Sequence, residues 1–163
     1  MKLEEITKNR DFLLANINTI FDGLIQELEN PGSVKEFAYA EYDLPLSANP
    51  AIFIGKKPVA VLFGEERVAV KSWREVYSVI LSRCNEDPAN HEMLMVLRNK
   101  TAGKVRVFLS DTPDGMTKPL KIDEGLFGEV HYGSQTLMYI LCKRILDYTE
   151  FDYRDIKIVL KLQ

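Results

Sequence analysis

The first thirty residues constrain this chain more than any other stretch. Between Leu3 and Leu28, the residues Leu3, Ile6, Leu13, Leu14, Ile17, Ile20, Phe21, Leu24, Ile25 and Leu28 are apolar. At about 100° per residue they fall in one arc of roughly 140°. Leu13, Ile17, Ile20 and Leu24 follow in steps of four, three and four, the spacing of a helix–helix seam. Glu4, Lys8, Asp11, Asn18, Asp22, Gln26 and Glu29 take the opposite face. The pattern predicts a long amphipathic helix that must bury its stripe on something. It should stop near Asn30-Pro31-Gly32, because proline and glycine together end a helix. The arc is wider than a two-residue seam and encloses Arg10, which interrupts a continuous coiled coil. The helix is therefore expected to pack in part on its own domain and to keep the rest for a second copy or a target.

Residues 33–50 contain Tyr39, Tyr42, Pro45 and Pro50 with little periodicity, and read as an irregular connector with room for a short strand at Glu36–Ala40. From Ala51 the pattern turns extended. Ala51–Ile54 is a short apolar run, and residues 58–70 read as a β-hairpin turning at Gly64-Glu65-Glu66. Ser72-Trp73-Arg74-Glu75 fits a capping box. It starts a helix with Trp73, Val76, Tyr77, Ile80, Leu81 and Cys84 on one face. Asp87-Pro88 starts another, with proline at the first helical position. Lys100–Gly103 is a turn, Val105–Leu109 a strand, and 110–118 a loop dense in turn residues. Leu120–Ile122 and Leu126–His131 are short strands. Ser134 can cap a last helix to about Tyr148, and Ile156–Leu160 closes the chain as a strand.

The organisation that follows is a helix over 1–30, a connector over 31–50 and a domain over 51–163. The fold class is α+β, a long N-terminal helix followed by a mostly antiparallel sheet with about three helices. At 163 residues there is enough chain for such a core. No run approaches the roughly 18 apolar residues of a membrane span. The acidic start Met1-Lys2-Leu3-Glu4-Glu5 is unlike a secretory signal, so a cytoplasmic location is expected. Cys84 and Cys142 sit among apolar neighbours and read as buried, reduced thiols.

Metal and cofactor chemistry has no sequence signature here. His91 and His131 are the two histidines, and neither has a His or Cys partner at metal-ligand spacing. No GxGxxG and no P-loop is present, and Gly125-Leu126-Phe127-Gly128 reads as strand-edge glycines. His131 and Ser134 could serve acyl transfer only with an orienting carboxylate and an oxyanion hole. A helix cap accounts for Ser134. No catalytic, cofactor or metal residue is assigned, and the chain reads as non-enzymatic.

Charge offers two opposed surfaces. The net charge is −3, yet residues 1–50 hold four basic and nine acidic side chains while residues 51–163 hold seventeen and fifteen. Asp11, Asp22, Glu27, Glu29, Glu36, Glu41 and Asp43 could present a negative face to a basic groove, although a solvated helix face is the commoner reason for such charges. The most basic stretch, 98–121, carries Arg98, Lys100, Lys104, Arg106, Lys118 and Lys121, with Phe108 between. It could contact nucleic acid, or serve solubility and block edge pairing. Lys56, Lys57, Lys71 and Arg74 would extend it if the fold gathers them.

Two segments, Val70-Lys71-Ser72-Trp73-Arg74-Glu75-Val76 and Gly125-Leu126-Phe127-Gly128-Glu129-Val130-His131-Tyr132-Gly133-Ser134, resemble a poorly characterised α+β module of clostridial-type bacteria and their phages or mobile elements. Ile145-Leu146 leading into Tyr153-Arg154-Asp155-Ile156 completes the resemblance, which covers roughly residues 58–160 and leaves out the first helix. Gly133 stands where a serine-like or other small residue is the pattern. The resemblance implies a defence or counter-defence setting and no common catalytic residue. The resulting expectation is a phage- or mobile-element-encoded interaction protein that binds a larger protein or nucleoprotein complex, with anti-CRISPR-like inhibition of a host defence nuclease as its concrete form. A homodimer through the first helix is compatible with it. The alternative is a DNA- or RNA-binding accessory factor using 98–121.

Overall fold

The computed structural model describes residues 2–29 (side chains to residue 25), 41–98, 100 and 107–162. The chain divides into two compact units, Met1–Ala40 and Glu41–Gln163. In the first, helix α1 runs from Leu3 to Glu29, as its periodicity requires. The strand expected at Glu36–Ala40 lies outside the described residues.

The second unit is α+β. Its strands are β1 (Glu41–Pro45), β2 (Pro58–Phe63), β3 (Glu66–Ala69), β4 (Leu109–Ser110), β5 (Pro119–Asp123), β6 (Leu126–Glu129) and β7 (Ile156–Lys161). Its helices are α2 (Trp73–Glu86), α3 (Pro88–Leu97) and α4 (Ser134–Tyr139). Two antiparallel sheets form, in the orders β1-β7-β2-β3 and β4-β6-β5. The closing strand β7 is an inner strand. Ile156, Ile158, Val159 and Leu160 are buried, which fits its near-continuous apolar run. Residues 41–50, assigned from sequence to the connector, supply the edge strand β1 beside β7, with Tyr42 opposite Leu160 and Leu44 opposite Ile158. Val105 and Arg106 lie outside the described residues, and the described part of the strand expected over 105–109 pairs with β6 at Leu109 and Ser110.

Helix α2 is the hub, touching β2 of one sheet and β5 of the other, as well as α3 and α4. The spacing of Val76, Tyr77, Ile80, Leu81 and Cys84 places all five in the core. Its capping box is close to expectation. Ser72 Oγ accepts from Glu75 N at 3.2 Å, but the Glu75 carboxylate accepts from Lys71 N at 2.7 Å, one residue upstream of the cap. Asp87 caps α3 through the amides of Ala89 and Asn90.

Three expectations change. Pro50–Phe53 is a 3₁₀ turn, not extended chain, capped by Asn49 Oδ1 and pinning Phe53 against Trp73 at 5.0 Å between ring centroids. The last helix widens into a π-helix over Ile140–Leu146, and Asp147 N reaches five residues back to Cys142 O at 2.9 Å. Gly128 is no strand-edge glycine. It lies on β6, the middle strand of its sheet, where a Cβ would stand 2.6 Å from Tyr77 Oη. Only hydrogen fits there, so α2 closes onto the sheet through this residue.

Candidate functional site

Helix α1 is the first candidate surface. Most helical stability in proteins comes from packing an amphipathic face, yet the apolar side chains of α1 are exposed, from 78 % at Leu3 to 39 % at Ile20. Leu13, Leu14, Ile17, Phe21, Leu24 and Ile25 lie between these limits. Phe12, on the polar side of the helix and outside the arc, is exposed as well. A shallow apolar depression is lined by Ile6, Asn9, Arg10, Leu13 and Leu14. On the other face Glu4, Asp11 and Asp22 are exposed. At 100° per residue these three fall within about 20° of one another, in one line along the helix. Asp11 binds the neighbouring Arg10 at 3.0 Å. The last turn holds Glu27 and Glu29 and no basic residue. Acidic residues at a helix C-terminus oppose its dipole and cost about 0.3–1 kcal/mol each. Stability of the helix alone does not explain that placement.

The remaining acidic candidates are used within the second unit. Glu41 accepts from Arg67 at 2.9 Å, and Asp43 lies 3.8 Å from Lys157. The first joins β1 to β3, and the second joins β1 to its neighbour β7. Glu36 lies outside the described residues, as do the side chains of Glu27 and Glu29. Of the seven carboxylates, Asp11 and Asp22 are exposed on α1, and Glu41 and Asp43 are paired within the second unit.

Several described cations of the basic stretch 98–121 make local contacts. Arg98 Nη1 donates to the Gly125 carbonyl at 2.8 Å, holding the β5–β6 turn. Lys100 Nζ donates to Tyr148 Oη at 3.2 Å, and Lys121 pairs with Glu124. Lys118 is exposed, and Lys104 and Arg106 lie outside the described residues. Arg74 reaches the Pro119 carbonyl at 3.4 Å, while Lys56, Lys57 and Lys71 are exposed. Arg98, Lys100, Lys121 and Arg74 thus have structural partners.

The junction from β6 to α4 is the most organised polar region of the second unit. Glu129, 3 % exposed, accepts the amides of Thr117 at 2.6 Å, Lys118 at 2.9 Å and His131 at 2.9 Å. Burial pushes its pKa up, but the three N–H donors and His131 outweigh burial and hold it below the usual carboxylate value. Glu129 so ties the 110–118 loop to the strand. The exposed His131 lines a cleft of about 260 Å³ with Lys118, Val130, Tyr132 and Gly133. Ser134 is not the cap of α4. Gly133 is, without a side-chain bond, and Ser134 Oγ donates to the Phe53 carbonyl at 3.1 Å. The hydroxyl that sequence reasoning offered as a cap or nucleophile is an anchor for the 3₁₀ turn.

A second cluster escaped sequence reasoning. His91 Nδ1 lies 2.8 Å from Asn85 Oδ1, and Asn85 Nδ2 donates to Asp123 Oδ2 at 2.9 Å. The Asn85 amide hydrogen bond, then that from the Glu124 backbone, with the charge of the nearby His91, hold the Asp123 carboxyl below its usual range. This chain fastens α2 and α3 to β5, and no local motif announces residues 85, 91 and 123 as neighbours. Cys84 and Cys142 are buried and free. Burial, then the Asp147 charge, pushes the Cys142 thiol up to about 12, so it stays protonated. Among the described residues no group of carboxylates, histidines and cysteines is arranged to hold a metal, and no helix is long and apolar enough to cross a membrane. No family model, curated protein or solved structure matches the chain.

Proposed function

We propose that the protein works by binding, with α1 as the contact element and a basic protein or nucleoprotein groove as the partner. The observation that carries this reading is the acidic line of α1, with Glu4, Asp11 and Asp22 exposed. Beyond Arg10 the helix has no basic residue. Its last turn is acidic where the dipole favours cations. A groove lined by Lys and Arg relieves that conflict on contact and gains in association rate from the opposite field. The concrete form is a phage or mobile-element inhibitor that occupies the nucleic-acid channel of a host defence nuclease. Its acidic helix stands in for phosphate charge, and no reaction is catalysed.

The test is retention of purified, guide-loaded defence nuclease complexes on the immobilised full chain. Retention should be strong at low salt and lost by about 0.5 M, where the Debye length falls well below 10 Å. A short DNA duplex should compete. Asp11→Asn with Asp22→Asn should weaken binding about tenfold. Retention that ignores salt and duplex competition, or none at all, contradicts the proposal.

A further inference from the structure

The acidic line leaves the apolar stripe of α1 still to be covered, and the sequence of that stripe names its cover. Counted in heptads from Leu3, the a positions are Leu3, Arg10, Ile17 and Leu24, and the d positions are Ile6, Leu13, Ile20 and Glu27. Two of these eight seam positions are charged, and their charges are opposite. In a parallel pair each a position faces the same a position, and each d its own d. Arg10 would then meet Arg10, and Glu27 would meet Glu27. In an antiparallel pair a faces d. One register sets Ile17 against Ile20, Leu13 against Leu24, and Arg10 against Glu27, each twice by symmetry.

The flanking positions agree with that register. Leu14 falls beside Phe21 of the other copy, widening the apolar seam on one side, and Asn16 falls beside Gly23 on the other. The depression between Ile6, Asn9, Arg10 and Leu13 lies where Leu24 and Glu27 of the other copy would enter. Antiparallel helix dipoles add to the preference. The Arg10–Asp11 pair is exposed on both sides, and such pairs are worth little, so Arg10 is free to turn to a better partner. We infer that a second copy of this chain covers the stripe, with the two α1 helices antiparallel and Arg10 of each paired to Glu27 of the other. This dimer does not depend on the proposed nuclease partner. It leaves the acidic line on the outside.

A charge-swap cycle on the full chain tests it by sedimentation equilibrium, with far-UV circular dichroism as the check on folding. Wild type should sediment as a dimer of the 18.7 kDa chain. Arg10→Glu and Glu27→Arg should each raise the dimer dissociation constant at least about tenfold, because each creates two like-charge pairs. The double variant should return to within about threefold of wild type. A parallel dimer has like-charge pairs in all four proteins, so single variants equal to wild type overturn the inference. So do a double variant no tighter than the singles, a wild type that stays monomeric, and an assembly larger than two.

Discussion

Helices α1 and α2 follow the same rule of apolar spacing and meet opposite fates. In α2 the stripe from Val76 to Cys84 is wholly buried, because β2, β5, α3 and α4 surround it. In α1 an equally regular stripe of larger residues is exposed along the helix. Periodicity therefore says which face of a helix seeks cover, but not where the cover comes from. In the second unit the chain supplies it. For α1 the cover proposed here is another copy, with the charged residues of the seam choosing the orientation and those of the outer face choosing the target.

The sharpest way to break this comparison is the same insult on both stripes. Ile80→Asp puts an unpaired charge in the core and should cost more than about 4 kcal/mol, enough to abolish the cooperative urea transition. Ile17→Asp should move that transition by less than about 0.5 kcal/mol while abolishing self-association. Similar losses of folding in both variants would refute the division of labour.

Within the second unit the comparison sharpens at Glu129. Glu129→Ala removes the buried carboxylate that three backbone amides share and should cost about 3 kcal/mol at neutral pH. Because the folded pKa lies below the ordinary 4.5, this stabilisation is present above that pH and is lost as pH falls through the folded value. The gap between wild-type and variant urea midpoints should therefore narrow under acid. A gap independent of pH would mean that packing, not charge, is what the side chain supplies.

A smaller effect is expected where α2 meets Gly128. Gly128→Ala forces a methyl against Tyr77 and should cost about 1–3 kcal/mol. Tyr77→Phe removes a buried hydroxyl with no hydrogen-bond partner among the described residues, so it should be close to neutral on its own and should recover part of the glycine loss. Strict additivity of the two changes, read from urea midpoints, would show that the contact is not what excludes the side chain.

Much of the element order is legible in the sequence because its signals are local. Ser72 and Asp87-Pro88 announce two helices, Gly64 turns the first hairpin at φ 61°, and the β-rich runs Pro58–Phe63 and Ile156–Leu160 mark strands. What is not legible depends on distant partners. Strand β1 looks like a connector because its Tyr42 and Leu44 are only half-buried and its remaining residues are exposed on a sheet edge. Ser134 reads as a cap until Phe53 offers it a carbonyl. Glu129 reads as a strand charge until the 110–118 loop folds over it with two amides. The basic stretch looks continuous along the chain, but Arg98 and Lys121 are drawn into separate local contacts. The amphipathic design of α1 was legible in full, since a lone helix needs only its own periodicity to declare it.

Hydrogen exchange along the full chain tests the central claim most directly, because it reads the cover on α1 rather than inferring it. Amides between Leu13 and Leu24 should be protected in wild type at concentrations where the protein is dimeric. That protection should vanish in Ile17→Asp, with α2 unchanged in both proteins. An α1 that exchanges freely in wild type, or one that stays protected in Ile17→Asp, would contradict the account.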